Sequence, residues 1–286
     1  MSLVRDLHAT GMGVDQEGNL WAWQSGAGRI DLYSPDGEVI AKASLRDAVS
    51  VAVDRHWGVA GIVGQGKELR LVPFGGGSPL LIPLPDEARG VAWVDAETVA
   101  VAPALANHRA QLWQIREKTL IKKLGVEEVI EPKIGTTVLR SIAMQYDPGR
   151  KLLYTLDSFK GDLQVFALDG RLVRHETFPQ VERRELEAWL AQTDREMRER
   201  HETFAPGIRW FSLAVDAAGA AWSVQACDRA QARATLLQIP LLGKRQSTTL
   251  EAACCALPLV IWKGWLILYT DPAAPREICN LIRRIP

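Results

Sequence analysis

The chain has 286 residues, 47% of them hydrophobic, enough to bury one large all-β domain or two ordinary ones. Lys plus Arg and Asp plus Glu each number 34, so the net charge is zero and the whole-chain field gives no general pull toward nucleic acid or an anionic membrane. The opening MSLVRDLHATGMGVD lacks an apolar core of signal length, and the longest apolar runs are broken by residues such as Pro258, Lys263 and Gly264. A cytoplasmic protein without a membrane partner is therefore expected.

One phrase recurs along the chain: an apolar run, an acid, a turn and a second apolar run. It appears as TGMGVDQEGNLWAWQ around Asp15, SVAVDRHWGVAGIV around Asp54, GVAWVDAETVAVAP around Asp95, SIAMQYDPGRKLLYTL around Asp147 and SLAVDAAGAAWSVQ around Asp216. Each copy predicts two short strands joined by a tight turn, with Asp and Gly or Pro where turn geometry favours them. A sixth copy, ALPLVIWKGWLILYTD, keeps both runs without the acid. Between copies lie further strand-like phrases, such as GRIDLYSPDGEVIAKASL and GDLQVFALDGRLVRHETF, most with a turn of their own. Each unit thus predicts about four strands in roughly 40 residues, the make-up of a β-propeller blade.

The acids test the period. Asp15, Asp54, Asp95 and Asp147 are separated by 39, 41 and 52 residues, but Asp147 and Asp216 by 69. The pentapeptide Arg-His-Glu-Thr-Phe occurs at 174–178 and again at 200–204. Removing one copy with the residues between leaves about 43, which restores the period, so the repeat brackets an insertion. That insertion, 179–206, is rich in helix formers. Leu186, Trp189, Leu190, Thr193 and Met197 fall at helical spacing as an apolar stripe, and the remaining positions alternate in charge, with Arg183 and Arg184 near its start. A helix there either packs on its own domain or docks a partner protein with Trp189 as anchor.

The last unit offers strands near 257–261, 265–269 and 277–285 and then ends. The N-terminal SLVRDL is expected to supply its fourth strand, which removes the open edge of the ring. This pattern resembles the closure of WD40-like and NHL-like propellers, although the WD dipeptide and GH signature of WD40 repeats are absent. The resemblance implies an all-β fold. The expectation is one domain over 1–286, a six-bladed β-propeller with the helical insertion between blades four and five.

No pattern commits the chain to catalysis. His175 and His201 each begin His-Glu, but the fourth residue on is Pro179 or Ala205, where a zincin helix needs a second His. There is no GxSxG, and the glycine runs 64–66 and 75–77 do not open helices. The recurring aspartates suit turn capping better than calcium, because successive blades spread them around a ring. Gluconolactonase-like six-bladed lactonases are similar in layout and use a Glu, two Asn and an Asp around a divalent metal. Here Glu17 is the one tempting match, and Asn19, Asn107 and Asn280 do not align onto that pattern.

Trp21, Trp23, Trp57, Trp93, Trp113, Trp210, Trp222, Trp262 and Trp265 lie mostly in the strand phrases and predict packing between blades rather than base stacking. Cys227, Cys254, Cys255 and Cys279 form neither a CxxC pair nor a disulfide framework and read as reduced, buried side chains. The expected function is a non-enzymatic scaffold or regulatory subunit of a multi-protein assembly. Its partner would be a protein bound through Leu186, Trp189, Leu190, Met197, Arg183 and Arg184, without cofactor, metal or direct nucleic-acid contact. The alternative is a metal-dependent lactonase-like hydrolase or small-ligand binder using the central channel.

Overall fold

A computed structural model describes residues 11–104, 108–126, 142–157, 161–177, 192, 195, 199, 212–228, 233–251, 256–270 and 281–284. Each sequence phrase forms the hairpin it predicts, and consecutive hairpins join into antiparallel meanders. The first sheet holds β1 (Gly11–Val14), β2 (Leu20–Gln24), β3 (Arg29–Tyr33) and β4 (Val39–Ser44). The second holds β5 (Ser50–Asp54), β6 (Gly58–Val63), β7 (Glu68–Val72) and β8 (Leu80–Pro83). The third holds β9 (Ala88–Trp93), β10 (Thr98–Pro103), β11 (Ala110–Gln114) and β12 (Thr119–Leu124). The fourth holds β13 (Ile142–Asp147), β14 (Leu152–Asp157), β15 (Asp162–Ala167) and β16 (Leu172–Thr177). The fifth holds β17 (Ser212–Val215), β18 (Ala221–Asp228), β19 (Arg233–Ile239) and β20 (Gln246–Glu251). A final three-stranded sheet holds β21 (Ala256–Trp262), β22 (Trp265–Thr270) and β23 (Leu281–Arg284).

The first strand of every sheet is innermost. β1 packs beside β5, then β5 beside β9, β9 beside β13, β13 beside β17 and β17 beside β21, and β21 returns to β1. This closed ring is a β-propeller. The expectation of six four-stranded blades is corrected: among the described residues there are five complete blades and a sheet of three strands. The expected closing strand from the N-terminus lies in 1–10, outside the described residues.

The expected helical insertion at 179–206 lies almost wholly outside the described residues; elsewhere these hold a 3-10 turn at Gly64–Gly66. Of the insertion, Gln192, Arg195 and Glu199 alone are described, each exposed with helical backbone. Among the described residues no helix is long and apolar enough to cross a membrane.

The core is divided among the gaps between neighbouring sheets. Trp23, Ile30 and Leu32 meet Val51 and Val59 between the first and second sheets. Leu69, Ile82, Trp93, Val99 and Trp113 pack between the second and third. Met12, Leu20, Trp262 and Ile267 seal the last sheet against the first. Aromatic side chains bury the most area per residue, which explains why the strand tryptophans sit in these gaps. Trp262 adds a bond to the closure: its Nε1 donates to the Gly18 carbonyl at 2.9 Å.

Candidate functional site

The hairpin turns between first and second strands all lie on one face of the ring, and their aspartates are capping groups. Asp15 Oδ1 accepts from the backbone N–H of Glu17 and Asn19 at 3.0 and 2.8 Å. Asp54 Oδ1 accepts from His56 and Trp57 at 2.9 and 3.3 Å. Asp95 caps Glu97 N–H at 2.9 Å, Asp147 caps Arg150 at 3.1 Å and Asp216 caps Ala220 at 2.8 Å. The turn-capping role read from the sequence is therefore what these carboxylates do.

The same turns tie blade to blade. Asp15 Oδ2 accepts from Arg55 N–H of the second sheet at 3.2 Å, and Arg150 donates across to the Ala217 carbonyl at 2.8 Å. Tyr154 Oη donates to the Gly219 carbonyl at 2.9 Å, and burial pushes its phenol up to about 12.

Just outside the ring axis, Glu17 Oε1 lies 2.6 Å from His56 Nε2. The hydrogen bond from His56 holds the Glu17 carboxyl below its usual range, and Glu17, through the same bond and then its charge, raises the imidazole. Both side chains are largely exposed. Glu17, tempting from the sequence, thus stands beside Asn19, whose Nδ2 is 3.5 Å from Glu17 Oε2 and 2.8 Å from Asp15 Oδ2. Asn107 and Asn280 lie outside the described residues. Among the described residues no three His, Cys, Asp or Glu side chains cluster as a metal site.

Along the axis the innermost strands enclose a cavity of about 120 Å³. Its walls are apolar, with Val14, Val51, Val91 and Val260 among them, and Asp15, Gln16, Asp54, Gln145 and Tyr146 form its polar end. Burial, the largest influence, and the nearby Asp15 charge raise the Asp54 carboxyl, against the lowering effect of its backbone hydrogen bonds.

A second polar cluster, missed from the sequence, sits at the opposite end of the strands. Arg109, 2% exposed, donates from Nε to Thr155 Oγ1 at 3.1 Å and from Nη1 to Asp157 Oδ2 at 2.8 Å. It also binds both the carbonyl, at 2.9 Å, and the carboxylate of Asp162. His175 Nε2 lies 3.2 Å from Asp162 Oδ2, which gives the first Arg-His-Glu-Thr-Phe copy a structural partner in place of a metal. The available signal was an Arg and two Asp inside otherwise apolar strand phrases, a pattern that requires pairing when buried.

Of the predicted partner-binding residues, Leu186, Trp189, Leu190, Met197, Arg183 and Arg184 all lie outside the described residues. So do the side chains of the four cysteines.

No protein-family model matches the sequence, and no curated protein matches it. Solved structures do match in fold. The chain is similar to a streptogramin B lyase, with a TM-score of 0.61 and 11% identity over 98% of this chain and 83% of that one. It is also similar to a catalytically inactive virginiamycin B lyase from Staphylococcus aureus with quinupristin, at a TM-score of 0.59 and 12% identity over 100% and 87%. The β-propeller domain of Myceliophteria thermophila Cps50 (Swd1) matches at a TM-score of 0.55 and 12% identity over 100% and 88%. Identities this low bear on the fold alone, and together with the ring of sheets they define the class: a β-propeller protein.

Proposed function

We propose that the protein is a non-enzymatic interaction platform, a subunit of a multi-protein assembly that binds proteins on its outer surface. The observation that supports this reading is the recurrence of exposed apolar side chains on successive outer strands. Val39 and Ile40 stand on β4, Leu81 on β8, Ile121 on β12 and Leu172 on β16, each at least 37% exposed. Leu242, between β19 and β20, is 87% exposed. A rigid ring that repeats such a contact in blade after blade suits shallow, multi-point recognition of a protein surface.

In this reading the insertion between β16 and β17 is a further docking element. Leu186, Trp189, Leu190 and Met197 form its apolar stripe, with Arg183 and Arg184 beside it, and Trp189 is the anchor. Pull-down from the native cell with the intact chain, with Trp189→Ala and with a chain lacking 179–204 tests it. A partner retained by the intact chain and lost from both variants, with unchanged thermal unfolding, is the expected result. Full retention of every partner by the deleted chain refutes the role of the insertion. Absence of any partner from the intact chain refutes the platform.

A second reading, a metal-dependent lactonase-like hydrolase, is favoured by one observation: Glu17, Asn19 and Asp15 converge beside the polar end of the cavity. The existence of lyases with this fold also supports an enzyme built on such a ring. Elemental analysis of the purified chain separates the readings, because a stoichiometric divalent ion supports the hydrolase.

A further inference from the structure

Among the described residues the axial cavity has one carboxylate oxygen that no donor reaches. Asp54 is 2% exposed and lines the cavity. Its Oδ1 takes two backbone N–H groups, whereas no described residue donates to its Oδ2. Asp15, its neighbour in the same wall, differs. All of its acceptor positions are engaged, two at Oδ1 and two at Oδ2. The wall therefore carries two carboxylates, of which only Asp54 has capacity left, and no Lys, Arg or His is among the described residues that line it.

Three aromatic residues, Trp21, Trp93 and Tyr146, are among those lining that wall. Aromatic faces attract cations, and a buried carboxylate with a vacant oxygen seeks an N–H donor that brings positive charge. Size narrows the ligand further. A dry cavity of about 150 Å³ takes benzene, so a cavity of about 120 Å³ takes a molecule of roughly four to six non-hydrogen atoms.

We propose that the axial cavity binds a small protonated amine, whose ammonium group donates to Asp54 Oδ2 while its alkyl part lies against Trp21, Trp93 and Tyr146. This concerns the axis rather than the rim, so the platform reading and this one stand or fall separately. The raised Asp54 carboxyl fits it. Burial penalises the charged form more than its two backbone hydrogen bonds favour it, and a bound ammonium group would restore that form.

The test is titration of the full chain at constant ionic strength near pH 7.5, by calorimetry and tryptophan fluorescence. The probes are n-butylammonium, the neutral and equally shaped 1-butanol, and tetramethylammonium, which has no N–H to donate. Saturable binding of n-butylammonium, roughly tenfold or more tighter than either control, is expected, because a hydrogen bond to a charged partner is worth at least that factor. Asp54→Asn keeps an oxygen for the two backbone N–H groups and should lose the same factor while its circular dichroism stays unchanged. Acidification through the Asp54 titration should weaken binding in the wild type. Absence of saturable n-butylammonium binding, or equal binding of 1-butanol, overturns the proposal on the wild-type chain alone, whether or not the variant folds. An Asp54→Asn chain that binds as tightly as the wild type overturns it as well.

Discussion

Replacing Arg109 with Met tests how the third and fourth blades are held together. The guanidinium is buried with Asp157 at 0% and Asp162 at 6% exposure, and it donates to the side chains of Thr155, Asp157 and Asp162 and to the Asp162 carbonyl. Removing it takes the guanidinium away from two buried carboxylates, and among the described residues His175 stays at 3.2 Å from Asp162. Breaking a buried pair by deleting one member costs about 3–5 kcal/mol, mainly from the orphaned charge. Unfolding entropy of about 2.1 cal/mol/K per residue gives about 0.6 kcal/mol/K for 286 residues, so the midpoint should fall by about 5–8 °C. The assay is thermal and urea unfolding followed by tryptophan fluorescence, run on Arg109→Met, Asp157→Asn and the double variant. The double variant removes both members of the Arg109–Asp157 pair and should be less destabilised than the sum of the single changes, by more than 1 kcal/mol. An Arg109→Met midpoint within about 2 °C of wild type, or strictly additive effects, would refute the account of this cluster as a charge-balanced tie.

Four further outcomes follow from the structure. A Cβ at Gly90 would lie 2.3 Å from the Ile142 carbonyl oxygen on the neighbouring innermost strand, so Gly90→Ala should destabilise by about 1–3 kcal/mol or more in urea unfolding. Gly37→Ala, which meets open space but has φ +88°, should cost only about 1 kcal/mol. Trp262→Phe keeps the ring in the gap between last and first sheets but loses the bond to the Gly18 carbonyl, and should cost about 0.5–1.5 kcal/mol by the same measurement. The Glu17–His56 pair should show opposite limbs by pH. Its stabilisation fades as pH rises through the raised His56 titration and as pH falls through the lowered Glu17 titration, and Glu17→Gln should return the His56 NMR titration toward the ordinary imidazole range.

The ring was legible because its signals are local. In five of the six copies a capping aspartate followed by a glycine or a short polar turn writes the inner hairpin into about fifteen consecutive residues, and alternation marks the strands on either side. The Trp reading followed from the same logic, since a large aromatic inside a half-buried strand has the gap between sheets as its natural place, as Trp23, Trp93, Trp113, Trp222 and Trp262 show. What escaped depends on residues distant in sequence. Arg109 and Asp157 are 48 positions apart, and only the stacking of β11 against the fourth sheet makes them partners. Likewise Asp15 and Asp54 carry the same turn motif and look interchangeable in the sequence. They differ because Arg55 N–H reaches back to Asp15 Oδ2, whereas no described donor reaches Asp54 Oδ2. A repeat therefore predicts the scaffold but hides the difference between one copy that is satisfied and a neighbour that is not. That asymmetry is set by the meeting of adjacent blades, a tertiary fact that no single repeat contains.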